Sequence, residues 1–151
     1  MDMFSIHPYP ENSSVSPLRR HPHSRSIGVA DYDKLVALLE RAFGRAMPIV
    51  YGELGIETVV PQPERRLYTG TEPASTRPVG GLRQGRDYAQ AIELAACQPL
   101  VVMILLFHVS DERRLAGLQS GVYYADGTPK ASLPIVERTA QAAARGKLQC
   151  R

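Results

Sequence analysis

Glu53 ends the run Pro48-Ile49-Val50-Tyr51-Gly52-Glu53-Leu54-Gly55, an apolar stretch that delivers one carboxylate to its own C-terminal end. Buried parallel strands read as short continuous apolar runs, and in βα-barrels the strand ends supply the catalytic groups. A glutamate at that address points to chemistry rather than packing. The same spacing also describes a solvated or salt-bridged glutamate opening a loop, and the run alone does not choose between them. Other residues of reactive type fall at comparable places. His7 and Tyr9 lie in His7-Pro8-Tyr9-Pro10 after the short apolar segment Met3-Phe4-Ser5-Ile6, Tyr51 lies two residues before Glu53, and His108 follows the longest apolar run, Pro99 to Phe107.

Metal chemistry finds little support in this pattern. His7, His21, His23 and His108 show no His-x-x-x-His spacing, and a histidine at a strand end beside Pro8 reads as a hydrogen-bonding or substrate-orienting group. Gly80-Gly81 lacks the Gly-x-x-x-x-Gly-Lys pattern of a phosphate loop. Glu11, Asp111 and Glu112 read as solvated loop charges. Glu57 would share a face with Glu53 only if the strand ran on past Gly55, and would then lie about 13 Å along it. Cys97 and Cys150 are too far apart for a zinc knuckle. A buried thiol is the expectation for Cys97; a long-loop disulfide between the two is the alternative, which an oxidising compartment would favour.

The elements that must position these groups follow from periodicity. Met3 to Ile6, Pro48 to Leu54 and Leu100 to Phe107 read as strands. Asp31 opens a helix whose apolar positions Leu35, Leu38, Leu39, Ala42 and Phe43 fall at helical spacing, with Gly44 as terminator. Tyr88, Ala91, Ile92, Ala95 and Ala96 give a second stripe. Pro134 starts a third helix with Val136, Thr139, Ala140 and Ala143 on one face. The order β, α, β, α, β, α predicts an α/β fold with a parallel sheet and right-handed crossovers. Residues 1–151 read as one domain with long loops at 8–30, 55–84 and 108–130. Three parallel strands cannot close a barrel, so open sheet edges are expected, and with them self-association.

Composition narrows the partners. The chain has 151 residues, 44% of them apolar and 22% charged, as in an ordinary soluble domain. A net charge of +3 with scattered arginines lacks the basic stripe that nucleic acid requires. The longest apolar run falls far short of the roughly 20 residues of a membrane-spanning helix. The N-terminus, Met1-Asp2-Met3-Phe4-Ser5, carries no secretory signal, which makes the cytoplasm the default expectation.

Taken in order, strand-His7-Pro8-Tyr9-Pro10, helix, strand-Gly52-Glu53-Leu54-Gly55, helix, strand-His108 and the run Gly121 to Lys130 resemble the last part of a cellulase-like glycoside hydrolase of the (β/α)8-barrel clan, family 5-like. The resemblance implies a partial (β/α)8 (TIM) barrel, about its last three β/α units. It implies Glu53 as the nucleophile of a retaining hydrolysis of O-glycosidic bonds, and His7, Tyr9, Tyr51 and His108 as sugar-binding residues. It implies a carbohydrate substrate, no cofactor and no metal, and export of the full-length relatives.

Two departures qualify what is implied. The family's acid/base glutamate belongs to a strand preceding those read here. Retaining glycosidases need two carboxyl groups about 5–5.5 Å apart, so one alone leaves the expected chain inactive by itself. The sequence also has no tryptophan, whereas the family often places one near its eighth strand to stack on sugar; His108 and Leu118 stand in that neighbourhood. A non-catalytic remnant or interaction module, and an unrelated small α/β domain, are the alternative readings.

Overall fold

The computed structural model describes residues 2–150. Three strands, β1 (Phe4–Ile6), β2 (Ile49–Leu54) and β3 (Val101–Leu106), form a parallel sheet in sequence order. They alternate with three helices, α1 (Tyr32–Phe43), α2 (Gly81–Ala96) and α3 (Leu133–Ala144). The expected α/β architecture and its elements are present, with ends shifted by a residue or so, except that α2 begins at Gly81, inside the stretch 55–84 read as loop.

Periodicity 2 in the strands sorts the sheet into two faces. Phe4, Ile6, Ile49, Tyr51, Leu54, Val101, Ile104 and Leu106 face the helices and belong to one core with Leu35, Leu39, Tyr88, Ala91, Ile92 and Val136. No helix among the described residues covers the opposite face, and Val102, Met103 and Leu105 of β3 are 56%, 49% and 47% exposed there. A strand as uniformly apolar as β3 is the type normally buried on both faces.

Register shows how the faces are kept. Tyr51 pairs with Ile104 and Leu54 with Leu106, so three steps along β2 oppose two along β3. The extra residue is a bulge, which re-aims side chains. Leu54 thereby returns to the helix side, and the intervening Gly52 and Glu53 are left toward the open face at the strand's C-terminal end.

The apolar stripe of α1 is covered less than its sequence suggests. In α1 only Leu35 and Leu39 are buried, while Leu38 and Phe43 stay 40% and 44% exposed. Gly44 ends the helix at φ 69°, a left-handed conformation that glycine adopts without strain. Asp31 precedes α1 but does not cap it through its side chain. Its carboxylate is spent on the preceding loop instead, accepting from the His21 N–H at 2.7 Å, the Gly28 N–H at 2.9 Å and the His21 ring at 2.7 Å. Lys34 completes the clasp, donating to the carbonyls of His21, Ser24 and Ser26.

Cys97 and Cys150 are joined by a disulfide, which corrects the buried-thiol expectation. Cys97 sits at the C-terminal end of α2, half-buried rather than enclosed, where the returning tail after α3 reaches it.

Candidate active site

Glu53 is held from the neighbouring strand's end. Its Oε2 accepts a hydrogen bond from the Tyr9 hydroxyl at 3.2 Å and lies 3.4 Å from His7 Nδ1. The Glu53 side chain is 32% exposed and that of His7 52%, so the carboxylate is anchored on one oxygen while remaining reachable. Burial, and then the charge of Glu53, push the Tyr9 hydroxyl well above the usual phenol range. Tyr9 is therefore a fixed donor, which keeps the carboxylate aimed.

Close approach explains the glycines beside it. A Cβ on Gly52 would sit 2.6 Å from Ser5 Oγ and 3.2 Å from the His7 ring. On Gly55 it would sit 2.9 Å from the Phe107 carbonyl and 3.0 Å from the Tyr9 ring. These two positions let β1, β2 and β3 converge at their C-terminal ends, which is what brings Tyr9 to Glu53.

Tyr51, expected to touch sugar, does not reach this site. It is fully buried on the helix side, and its hydroxyl donates to Gln98 Oε1 at 2.6 Å. Strand parity is the reason: the irregularity between Ile49 and Val50 places its extra residue on β3, so β2 alternates normally there, and Tyr51 shares the face of Ile49 and lies under the helices.

His108 follows β3 after a cis Phe107–His108 peptide, its ring 3.6 Å from that of Phe107 between centroids. Its backbone N–H donates to Ser120 Oγ, while the Ser120 hydroxyl donates to the Phe107 carbonyl. No hydrogen bond joins its ring to Glu53 among the described residues, and its Nδ1 is buried without a partner. His7, Tyr9 and Glu53 are thus brought together directly, and His108 stands apart from that contact.

Helix α2 fixes the loops that frame the site from below. Gln84 Nε2 donates to the carbonyls of Ile56, Ser120 and Gly121, and the Tyr88 hydroxyl donates to the Ser120 carbonyl while accepting from the Ile56 N–H. Gln84 and Tyr88 are both fully buried. The segments following β2 and β3 therefore share one set of anchors.

A second buried network was missed in the sequence. Asp111, read there as a solvated loop charge, is 6% exposed and pairs with Lys130 Nζ at 2.6 Å. Lys130 also donates to Thr58 Oγ1 and the Gln119 carbonyl, and Asp111 accepts from the Tyr68 hydroxyl and the Gly121 N–H. Burial pushes Asp111 up and Lys130 down from their usual ranges, opposed in each case by the partner. The signal that could have found it was the lysine ending the polar run Asp126-Gly127-Thr128-Pro129-Lys130, a type rarely enclosed without an acid.

A cleft of about 310 Å³ opens between the loops that follow the three strands, lined not by Glu53 itself but by Tyr9, its hydrogen-bond donor. Tyr9 and Gly55 form its inner end, Glu11, Asn12 and Ser13 one wall, and Glu57 with Gly117 and Leu118 another. Glu57 is half-buried, its Oε2 accepting from the Gln119 N–H at 3.2 Å. Burial pushes its carboxyl up. Among the described residues no group of three His, Cys, Asp or Glu side chains could hold a metal ion, and no helix is long and apolar enough to cross a membrane.

No family model matches the sequence, and no curated protein matches it. Solved structures do. A β-glucuronidase from Faecalibacterium prausnitzii superposes with a TM-score of 0.55 at 19% identity, over 93% of this chain and 22% of that one. A β-glucuronidase from Ruminococcus gnavus gives 0.54 at 17% identity over the same shares, 93% and 22%. A structure described as PfGH50B gives 0.60 at 10% identity, over 98% of this chain and 18% of that one. This chain spans about a fifth of the length of these structures.

The class these likenesses define is a fold: an α/β unit corresponding to part of the TIM barrel of glycoside hydrolases. At such identities the likeness carries the fold and no further.

Proposed function

We propose that residues 1–151 form the last three β/α units of a retaining glycoside hydrolase barrel of the cellulase-like, family 5-like kind, with Glu53 as its nucleophile. The observation that carries this reading is the Glu53 carboxylate at the C-terminal end of β2, steadied on one oxygen by Tyr9 and His7 and still partly exposed. A nucleophile in this chemistry must be ionised, rigid and accessible to an anomeric carbon. Tyr9 and His7 orient it, and His108 borders the sugar from the end of β3. The acid/base carboxyl comes from the barrel strands that complete the sheet, so this chain by itself is inactive.

The test is covalent. A 2-deoxy-2-fluoro β-glycoside with a good leaving group is incubated with the barrel completed by its remaining strands, and the labelled peptide is identified by mass spectrometry. Label on Glu53, together with loss of at least about a thousandfold in hydrolysis for Glu53→Gln, is expected. Label elsewhere, or hydrolysis surviving the substitution, rejects the assignment.

One observation favours a second reading, a non-catalytic interaction module. Val102, Met103 and Leu105 leave an apolar sheet face open, and such a face at a strand edge promotes association. A monodisperse, cooperatively melting monomer would argue against it.

A further inference from the structure

The cleft beside Glu53 has an electrostatic character that restricts its occupant. It adjoins the proposed site without being lined by Glu53: Tyr9 both lines it and donates to Glu53, and Gly55, two residues beyond that carboxylate, is also among its lining residues. Its walls are otherwise of the type that hydrogen-bonds hydroxyl groups, with Asn12, Ser13 and Thr76 among them.

The charged side chains that line it are both acids, Glu11 and Glu57, and the described lining residues include no lysine, arginine or histidine. The cations nearby do not line it. Lys130, which senses Glu57, is enclosed and held by Asp111, Thr58 and Gln119. Arg114 lines the adjoining smaller cleft together with Glu112. His21 approaches Glu11 to 3.6 Å from behind, but its other ring nitrogen is bound to Asp31, so that cluster is acidic on balance. Glu57 offers one oxygen to the Gln119 N–H, and its Oε1 accepts nothing from the described residues.

We infer that this cleft is a sugar subsite selective for uncharged residues, with Glu57 as its specificity-determining side chain and Glu11 as its second, and that it excludes uronic acids. This rests on reading Glu53 as the glycosidase nucleophile, since that reading makes the adjoining cleft a place for sugar. A hexose offers hydroxyl groups that a carboxylate accepts through charge-assisted hydrogen bonds. A uronate brings a second negative charge into a half-enclosed space with no cation among its lining residues, and like charges brought together without compensation oppose binding.

The experiment is an amide NMR titration of the full chain with methyl β-glucoside and methyl β-glucuronide, ligands that differ only in the carboxylate. The glucoside should shift the amides of Tyr9, Asn12, Gly55 and Gly117, and the glucuronide should bind at least tenfold more weakly. Glu57→Gln should narrow that gap, and Glu11→Gln/Glu57→Gln should bring it below threefold. Glu11→Gln alone, a change at an exposed side chain, should narrow it as well and serves if the buried substitution disturbs folding. Equal or tighter binding of the glucuronide, a gap that survives both substitutions, or no shift at these amides with saturating glucoside would overturn the inference. Failure of the nucleophile reading would show as missing label at Glu53 with the preference retained, and failure of the subsite as the reverse.

Discussion

Removing the Lys130 ammonium should be the most damaging single change outside the hydrophobic core. Its Nζ is fully enclosed and donates to three acceptors, Asp111 Oδ1 at 2.6 Å, Thr58 Oγ1 at 2.7 Å and the Gln119 carbonyl at 3.0 Å. Lys130→Met keeps the stem but leaves the Asp111 carboxylate buried with only the Tyr68 hydroxyl and the Gly121 N–H for company. Breaking a buried pair this way costs about 3–5 kcal/mol, a large share of the roughly 5–15 kcal/mol that holds a domain folded. Urea unfolding followed by far-UV circular dichroism and by tyrosine fluorescence, which no tryptophan obscures, should register it. Adding Asp111→Asn removes the stranded charge while keeping an acceptor for Gly121, so the double variant should recover about 2 kcal/mol of the loss. Because burial pushes Asp111 up, the Lys130→Met deficit should also narrow as pH falls and that carboxyl takes a proton. A Lys130→Met loss below about 1 kcal/mol, or a double variant no better than the single one, would refute the reasoning.

Three further outcomes are expected. Gly55→Ala should cost about 1–3 kcal/mol, read from thermal melting, since its Cβ would meet the Phe107 carbonyl and the Tyr9 ring. The double change Cys97→Ser/Cys150→Ser should cost about 4 kcal/mol in the chain-entropy model, because the bridge spans a separation of 53 residues; unchanged urea midpoints would show that it constrains nothing. Asp31 lies below the usual carboxylate range: burial raises it, but the N–H groups of His21 and Gly28 and the His21 ring outweigh that. A depressed carboxyl contributes stability above its unfolded value and loses it as pH falls through its folded one. The native chain should thus lose stability below about pH 4, and Asp31→Asn should flatten that dependence at a cost of about 1.5–3 kcal/mol at neutral pH.

How much was legible depended on how local the cause was. The strand Ile49–Leu54 and the helix Gly81–Ala96 announce themselves because runs and stripes of apolar residues are properties of a few consecutive positions. Glu53 was legible as a strand-end carboxylate, and its contacts with His7 and Tyr9 follow from β1 pairing parallel to β2, with Ile6 opposite Tyr51. Tyr51 was misplaced because proximity in sequence is not proximity on a face. Asp111, Lys130, Thr58 and Tyr68 meet only after the loops fold over one another, across separations such as the 72 positions from Thr58 to Lys130, and no pattern in a local window encodes that. His21, seen only as a loop residue, proved to be the buried partner of Asp31 for the same reason. Cys97 depended on where the tail returns, which spacing could not say.

The extra residue in β2 has a consequence for variation in this chain. Face assignment along a strand is a count of odd and even steps, so the carboxylate holds its address by arithmetic as well as by identity. Deleting Gly52 would leave every remaining side chain chemically intact and still draw the acid about 3.3 Å back along the strand, away from the end where Tyr9 holds it, while an isosteric replacement such as Glu53→Gln would leave the geometry and erase the charge. Length changes and point changes at this strand are therefore separable instruments, one for position and one for chemistry.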